Sequence, residues 1–386
     1  MTMATALTNA RIFDGHDWHQ DKCLLINDGK VAGLLIKNDI PADTRLVDAA
    51  GLIIVPGFID LQVNGGGGVM LNDERSVDGI RQICAAHAKF GTTALLPTLI
   101  TDTPEITASA IEAGLKAKAE KVPGFLGLHL EGPHLSVVRK GTHHPELIRP
   151  MEDTDLQRLL AIGGSFDALM ITIAPENSTQ EQVRALANSG FIVSLGHTNA
   201  TYDIVKDYVA AGAQTVTHLF NAMSQIENRA PGLVGATLDL GDLSTGIIAD
   251  GFHVHPAVID LALRAKRGPG RVFLVTDAMS SIGTDLTGLT LNGRQIFRKD
   301  GRLTLADGTL AGADIDMLSS VLYVHRKLGL EFEEAVRMAS LYPAKAAHVA
   351  DRKGRLMSGY DADFVVLSKD HQLRHTWIGG EQVYTA

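Results

Sequence analysis

Histidine, carboxylate and amide side chains recur in this sequence at the ends of short apolar segments. These polar residues are Asp60, Gln62, Asn64, His129, Glu131, His197, His218, Asp250, His253 and Asp277. Burying such groups costs free energy unless they pair with one another or bind a metal ion. Imidazole and carboxylate suit a borderline divalent cation such as zinc, and three protein ligands leave a fourth position for water. The pattern therefore predicts a catalytic metal site.

The chemistry that such a site supports is hydrolysis by water. A metal ion lowers the pKa of a bound water from 15.7 towards about 7, and an adjacent carboxylate takes the proton and passes it to the leaving group. Asp277 is placed for that role, at the end of the last apolar segment of the series. Cys23 and Cys84 are the only cysteines, and neither has a neighbour at metal-binding spacing, so we expect no thiolate ligands.

Eight apolar segments of strand length must position these polar residues. They span residues 59–63, 93–97, 127–130, 169–174, 192–195, 215–218, 245–249 and 272–276. Helical patterns separate them, for example at 76–90, 179–188 and 202–211, and Gly91, Gly190 and Gly212 follow these helices as left-handed C-caps. An open doubly wound sheet shows the same alternation, but polar residues at strand ends favour a closed (β/α)8 barrel of the TIM type, an α/β fold.

Both ends of the chain predict short β-strands. Strands are expected at 6–13, 24–27 and 31–36, and again at 359–367 and 376–384. We therefore predict a small β-sandwich domain built from residues 1–55 and 345–386, and a barrel domain from residues 56–344. Within the barrel domain, turn sequences at 292–293, 299–301 and 307–308 predict hairpins before two helices around 317–328 and 332–339.

Composition narrows the class of partner. The chain has 386 residues and a formal net charge of -9, which repels nucleic acid and anionic membranes. No apolar run is long enough to span a bilayer, and the N-terminus lacks a secretory signal pattern. We therefore expect a cytoplasmic protein that acts on a small molecule, with no nucleic-acid or membrane partner.

Five sequence segments together resemble one enzyme family. They are Pro56-Gly57-Phe58-Ile59-Asp60, His129-Leu130-Glu131-Gly132-Pro133, Gly196-His197-Thr198, Thr217-His218-Leu219-Phe220-Asn221-Ala222-Met223 and Thr276-Asp277-Ala278. They resemble, in this order and over nearly the whole chain, the N-acetylglucosamine-6-phosphate deacetylases of the amidohydrolase superfamily. The resemblance implies hydrolysis of N-acetylglucosamine 6-phosphate to glucosamine 6-phosphate and acetate.

The same resemblance implies roles for individual residues. It places the metal ligands at Glu131, His197 and His218, the general acid and base at Asp277, and a substrate contact at His143. It also implies a set of phosphate contacts: the backbone at Asn221 and Ala222, and the side chains of His253 and Arg229. Backbone N–H groups and arginine are good anion partners. In the family this arginine comes from a neighbouring subunit, so a homodimer is expected.

One departure from related enzymes bears on the number of metal ions. Many amidohydrolases hold a second metal with His-x-His after the first strand and a carboxylated lysine after the fourth. This chain has Gln62-Val63-Asn64 and Ala174-Pro175-Glu176 there, which resembles the subset that works with one metal. We expect one divalent metal per subunit, zinc first, with iron, cobalt and manganese as alternatives. Gln62 and Asn64 would then order water or ligand.

Several alternatives stay open at this stage. The substrate could be another phosphorylated amino sugar, such as N-acetylgalactosamine 6-phosphate, and an amidohydrolase fold could also serve as a catalytically silent binding module. The complete ligand set argues against the silent module. His129 is expected in the core, His144 could replace His143 through a register slip, and His255 reads as structural. The glycines at 65–68 lack the ending of a phosphate-binding P-loop.

Overall fold

The computed structural model describes residues 3–291 and 293–386. Its N-terminal region consists of seven short strands: β1 (Thr5–Thr8), β2 (Arg11–Phe13), β3 (Trp18–His19), β4 (Lys22–Asn27), β5 (Lys30–Ile36), β6 (Arg45–Asp48) and β7 (Ile53–Pro56). The strand predicted at 6–13 is two strands, because the backbone of Asn9 between them is left-handed, with a φ of 56°. Four of the seven form one sheet in the order β5-β4-β1-β6.

Eight parallel strands form the centre of the molecule. They are β8 (Phe58–Val63), β11 (Thr92–Ile100), β12 (Gly127–Glu131), β13 (Ala168–Ile173), β14 (Ile192–Leu195), β15 (Thr215–Val216), β16 (Ser244–Ile247) and β17 (Val272–Leu274). Between β8 and β11 lies a small hairpin of β9 (Gly65–Gly66) and β10 (Val69–Met70). Neighbours in the sheet follow the chain order. A parallel bridge between Val63 and Ala278 brings the last strand to the first, which confirms the predicted barrel.

Ten α-helices accompany the strands: α1 (Val77–Ala88), α2 (Pro104–Ala119), α3 (Asp153–Leu160), α4 (Gln180–Asn188), α5 (Tyr202–Ala211), α6 (Gly232–Asp239), α7 (Pro256–Ala265), α8 (Met317–Leu328), α9 (Phe332–Ala339) and α10 (Leu341–Ala346) among the described residues. The glycines predicted to end three of them have positive φ: 85° at Gly91, 98° at Gly190 and 120° at Gly212. Helix α10 was not predicted; it contains Pro343, which its first turn accommodates.

A four-stranded antiparallel sheet lies between β17 and α8. Its strands are β18 (Gly288–Leu291), β19 (Arg294–Lys299), β20 (Arg302–Thr304) and β21 (Leu310–Ala313). We call residues 288–313 the insertion. The predicted hairpins form here, although Asn292 of the first turn lies outside the described residues. Buried Leu289, Leu291 and Ile296 of the insertion pack on Ile100 and Met279 at the mouth of the barrel.

The two ends of the chain share one sheet. Three C-terminal strands, β22 (Phe364–Leu367), β23 (Leu373–Ile378) and β24 (Glu381–Thr385), extend it in the order β24-β23-β22-β7-β2-β3. Strand β22 pairs antiparallel with β7, so the prediction that both termini build the small β-layers is confirmed. The exact domain boundaries at 1–55, 56–344 and 345–386 stay a prediction.

Candidate active site

Three of the chemically interesting residues lie two or three positions beyond the ends of barrel strands and have an uncommon backbone conformation. His197 after β14, His218 after β15 and Asp277 after β17 have φ values of 47°, 31° and 52°. A positive φ in a residue with a Cβ costs on the order of 1–2 kcal/mol and persists where the surroundings over-determine it, often at functional sites. The strand ends are therefore shaped to aim these side chains into the barrel mouth.

Glu131, His197 and His218 converge on one point, as predicted. Oε1 of Glu131 lies 3.2 Å from Nε2 of His197 and 3.3 Å from Nε2 of His218, and the two ring nitrogens are 3.0 Å apart. These residues are 2%, 4% and 4% exposed. Two imidazoles and one carboxylate, buried with their ligand atoms turned towards each other, are a donor set that fits a divalent metal ion.

The ring of His197 is held in place by a hydrogen bond at Nδ1, the nitrogen that faces away from Glu131 and His218. Its Nδ1–H donates to the carbonyl oxygen of Arg139 at 2.8 Å, which leaves the lone pair of Nε2 for a metal ion. Nδ1 of His218 is buried and has no hydrogen-bond partner within the part of the chain that the structure describes. The metal-facing tautomer of His197 is thus set by a backbone contact.

His143 offers a second combination of three groups, with Glu131 and His197. Its Nε2 lies 3.9 Å from Oε2 of Glu131, which is farther than the corresponding distance from either of the other histidines. The backbone N–H of Thr101 donates to Nδ1 of His143 at 3.3 Å, and the Thr101 hydroxyl, 2.8 Å from the same nitrogen, then also acts as a donor, so the ring proton is assigned to Nε2. A protonated Nε2 is a hydrogen-bond donor rather than a ligand, so the set with His218 is the better metal site.

The ionisation of this cluster follows from its burial and its internal contacts. Burial alone would raise the pKa of Glu131, but side-chain hydrogen bonds with His197 and His218 hold it well below its ordinary value. Burial opposes protonation of His218, yet Glu131 outweighs it and raises the pKa of His218. Burial, together with His197, lowers the pKa of His143 to about 3. His143 is therefore a neutral donor at physiological pH.

Asp277 is held beside this cluster by the two amides that replace histidines in the sequence. Nδ2 of Asn64 donates to Oδ1 of Asp277 at 2.7 Å, and Nε2 of Gln62 donates to the same atom and to Oε1 of Glu131, each at 3.2 Å. Burial and the nearby charge of Glu131 raise the pKa of Asp277. Gln62 and Asn64 therefore order carboxylates, and an elevated pKa suits a group that must both take and release a proton.

A cavity of about 190 Å³ lies above these residues. It is lined by Asn64, Ile100, Glu131, Gly141, Thr142, His143, His197, His218, Asn221, Ala222, Ile248, His253, Asp277, Met279, Leu291, Leu310 and Gly312. The backbone N–H of Asn221 is already bonded to the carbonyl of His218, at 3.0 Å, whereas that of Ala222 has no acceptor among the described residues. Arg229 is exposed and does not line the cavity.

His253 is oriented by a residue that the sequence had placed only at a strand end. Nδ1–H of His253 donates a hydrogen bond to Oδ2 of Asp250 at 2.6 Å, so Nε2 faces away from the pair. Burial opposes the ionisation of Asp250, but His253 outweighs it and lowers the pKa of Asp250. In the sequence, only the spacing of three residues between Asp250 and His253 could have indicated that they contact each other. His129, in contrast, lies in the barrel core, with its Nε2 2.7 Å from Oγ1 of Thr172.

The barrel holds, at the ends of its strands, a buried carboxylate–histidine cluster that fits a divalent metal ion, an arrangement typical of metal-assisted hydrolases. The chain belongs to the amidohydrolase family, whose model matches residues 53–383. It is 41% identical to an N-acetylgalactosamine-6-phosphate deacetylase of Shewanella sp. (strain ANA-3), over 94% of this chain and 91% of the relative. It is 36% identical to the N-acetylglucosamine-6-phosphate deacetylase of Haemophilus influenzae, over 98% of this chain and 99% of the relative.

A solved structure resembles this one throughout. The N-acetylglucosamine-6-phosphate deacetylase of Pasteurella multocida superposes with a TM-score of 0.95 at 36% identity, with 100% of each chain covered. One divalent metal ion fits both the family and the buried side-chain cluster. Across residues 3–291 and 293–386, no helix has the length and apolar character needed to cross a membrane.

Proposed function

We propose that this chain hydrolyses the N-acetyl group of N-acetylglucosamine 6-phosphate to give glucosamine 6-phosphate and acetate. The observation that carries the proposal is the convergence of Glu131, His197 and His218 within 3.3 Å of one another, beside Asp277 in the same cavity. The deacetylase names of the relatives support a phosphorylated amino sugar as substrate.

In this mechanism Asp277 moves the proton. When bound by the three ligands, the metal ion supplies Lewis-acid activation of water and of the acetyl carbonyl. Asn64 and Gln62 both donate to Oδ1 of Asp277, so Oδ2 is the oxygen available to take a proton from the attacking water. Asp277 then delivers that proton to the amide nitrogen, which leaves as the amine. Nε2–H of His143 is available to donate to the acetyl carbonyl or to a sugar hydroxyl.

The phosphate contacts that line the cavity, Asn221, Ala222 and His253, lie on the side formed by the loops after β15 and β16. Ala222 contributes an N–H without an internal acceptor, and His253 contributes a ring that Asp250 orients through Nδ1, which leaves Nε2 for an external partner. Asn221 lies in the same turn as Ala222, but its own N–H already donates to the carbonyl of His218 and is not free for the phosphate. These groups suit an anion held away from the carboxylates of Glu131 and Asp277.

Zinc is the metal that we propose for this site. Two imidazole nitrogens and one carboxylate oxygen leave one tetrahedral position open, which is the arrangement of catalytic zinc. Gln62 and Asn64 are neutral amides whose NH2 groups donate to Asp277 and Glu131, and neutral amides in place of the histidines that hold a second metal elsewhere favour a single ion. Elemental analysis should therefore find one metal per chain, with iron, cobalt and manganese as the alternatives to zinc.

A homodimer in which Arg229 reaches the neighbouring active site completes the proposal. Arg229 is exposed and outside its own cavity. Large apolar side chains are also exposed on loops at this end of the barrel: Val138 is 79% exposed, Ile226 56% and Phe252 43%. Exposed apolar groups of this size support an association surface, and a two-fold axis would let each Arg229 serve its partner.

A second substrate is favoured by one specific observation. The relative at 41% identity is an N-acetylgalactosamine-6-phosphate deacetylase, and the two sugars differ only in the configuration of one hydroxyl. We retain the gluco epimer because the relatives with this activity cover 98% of the chain and a solved structure of that enzyme matches all of it.

The decisive experiment measures acetate release by protein of determined metal content. We expect turnover of N-acetylglucosamine 6-phosphate, a lower kcat/KM for the galacto epimer, and little turnover of unphosphorylated N-acetylglucosamine. A higher kcat/KM for the galacto epimer would reverse the choice of sugar. Zinc-loaded protein that releases no acetate from any of the three would refute the activity itself.

A further inference from the structure

One side of the active-site cavity is apolar. Met279, Leu291 and Leu310 line it together with Asp277 and the metal-ligand set, and we call these three side chains the apolar wall. Met279 is 2% exposed and Leu291 5%, while Leu310 is half-buried. Two of the three come from the insertion after β17, so this element contributes directly to the site. Nothing in the metal chemistry or in phosphate binding requires an apolar surface there.

The apolar wall is built by pairing of β21 with the segment that carries Asp277. Ala278 and Ala313 form a parallel bridge, and the N–H of Ala313 donates to the carbonyl of Asp277 at 3.1 Å. Because side chains alternate along a strand, Leu310 and Gly312 share the face that lines the cavity, and buried Ala311 and Ala313 share the other.

Gly312 makes room for Met279. A Cβ at Gly312 would lie 2.4 Å from Cγ and Sδ of Met279, and its φ of 74° also disfavours a side chain. The thioether of Met279 therefore packs directly over Gly312, a position that any larger residue at 312 would occupy. Behind it, Met279 and Leu291 join a buried cluster with Ile100 and Ile296. Met279 and Leu291 of the apolar wall are therefore backed by packed side chains and cannot yield easily to a larger ligand.

The position of the apolar wall matches the geometry of the substrate. The phosphate-contact set lies after β15 and β16, whereas the apolar wall lies after β17 and within the insertion. In a 2-acetamido-hexose 6-phosphate, the acetamido group and the phosphate-bearing carbon are attached to ring carbons on opposite sides of the pyranose. With the phosphate at Ala222 and His253, the acetamido group faces Asp277 and the apolar wall. Its methyl group is the one apolar substituent to be accommodated.

We propose that Met279, Leu291 and Leu310 form the acyl subsite of the enzyme, and that they restrict the substrate to short acyl groups. The acetyl methyl packs against the apolar wall, while the carbonyl carbon lies between the metal-ligand set and Asp277. A longer acyl chain meets packed side chains and cannot reach this position without moving them. The proposal rests on the proposed deacetylase function and assigns its acyl-group selectivity to the insertion.

The test compares N-acetyl-, N-propionyl- and N-butyryl-glucosamine 6-phosphate by kcat/KM. One extra methylene in a packed apolar site changes kcat/KM by roughly tenfold or more, so the wild type should lose about tenfold from acetyl to propionyl and more for butyryl. Leu310→Ala and Met279→Ala should each raise the propionyl-to-acetyl ratio by about tenfold. The ratio is measured on a single preparation, so a partly unfolded variant still gives a valid result.

Leu289→Ala is the matched control. Leu289 belongs to the same buried cluster of the insertion but does not line the active-site cavity, so its truncation should leave the ratio at the wild-type value. Unchanged ratios in both wall variants, or an equal rise in Leu289→Ala, would overturn the acyl subsite while leaving the deacetylase function intact. Failure of the wild type to hydrolyse the acetyl substrate would instead refute the function on which the subsite depends.

Discussion

At the scale of single residues, Asp277 is the side chain whose chemistry can be separated from metal binding. It accepts hydrogen bonds from Gln62 and Asn64 and does not belong to the converging ligand set. Asp277→Asn should therefore keep the metal but lower kcat by about 10²–10⁴-fold, the range for a lost general base. Metal analysis and steady-state kinetics on the same sample test this. Asp207→Asn, at an exposed position of α5, is the control, and a fully active Asp277→Asn would contradict the assigned role.

His197 should behave in the opposite way. Its Nε2 is one of three converging ligand atoms, and the Arg139 carbonyl fixes the ring. His197→Ala should therefore lose most of its metal on dialysis as well as its activity, because two ligands hold a divalent ion far less well than three. His255→Ala, at the exposed N-cap of α7, should retain the metal. Equal metal content in the two variants would rule out His197 as a ligand.

Asp60 gives the metal-free protein a specific pH dependence of stability. Burial raises its pKa from 3.8 to about 7, although hydrogen bonds from Thr276 and Gln62 oppose this. A raised folded-state pKa stabilises the fold fully below the unfolded-state value, and this stabilisation is lost as pH rises towards the folded-state pKa.

The corresponding comparison is between wild type and Asp60→Asn, which removes the titration. From about pH 5.5 to about pH 8, the unfolding free energy of the wild type should fall by about 2 kcal/mol relative to the variant. Urea denaturation of both proteins at the two pH values measures it. A difference between the two proteins that does not change with pH would show that Asp60 ionises normally.

Side-chain types at strand ends predicted most residues of the candidate site, but they did not predict the ring orientations and tautomers of its histidines. Glu131, His197, His218 and Asp277 meet as the sequence indicated. The tautomers of His197 and His143 depend on the carbonyl of Arg139 and the N–H of Thr101. All residues carry a backbone carbonyl and all but proline carry an N–H, so no residue type could mark these two contacts in the sequence.

At the scale of elements, the alignment of β12 with β13 sets the position of Glu131. Gly127 begins β12 with a φ of 156°, and a Cβ there would lie 1.7 Å from the carbonyl oxygen of Ala168. Because the obstacle is backbone, Gly127→Ala must displace a strand. We expect it to destabilise the protein by about 3 kcal/mol or more, within the upper range for single substitutions.

Thermal or urea unfolding measures this effect, with Gly33→Ala in β5 as the control. A Cβ at Gly33 would meet nothing closer than 3.7 Å, so this variant should unfold within about 0.5 kcal/mol of the wild type. Similar stabilities for the two alanine variants would mean that the β12–β13 pairing tolerates displacement.

Sequence periodicity predicted best the helices that have one buried face and one exposed face along their whole length. Helices α5, α8 and α9 form over the expected residues, because each buries a single face. The insertion was predicted only as hairpins. Its contribution to the cavity depends on the pairing of Ala313 with Ala278, residues 35 positions apart, and on Gly312, which interrupts the apolar pattern of β21. Such long-range pairing leaves no local signal.

At the scale of the whole molecule, the proposed exchange of Arg229 between subunits predicts complementation. Arg229→Ala and Asp277→Asn chains should each be poorly active alone. A mixed dimer contains one site with both residues intact, so random mixing should restore about a quarter of wild-type activity in a symmetric dimer. Co-expression followed by activity measurement tests this.

The control pairs Asp277→Asn with a chain that carries both substitutions, a combination in which no intact site can form. The mixture of Arg229→Ala and Asp277→Asn chains could instead show only the summed activity of its two components. Arg229 would then act within its own subunit, or would have no role in catalysis.

The closure of the barrel determines when the active site can form during synthesis of the chain. The first and last strands are joined through the N–H of Asp277 donating to the carbonyl of Gln62 and that of Asn64 donating to the carbonyl of Ala278. The contacts that close the ring are therefore made by the segments that hold the proposed acid and base. On the ribosome, residues 62 and 64 must wait for more than two hundred further residues before they meet their partners. A truncated or half-synthesised chain is consequently unable to attack an amide, however well its other strands have assembled.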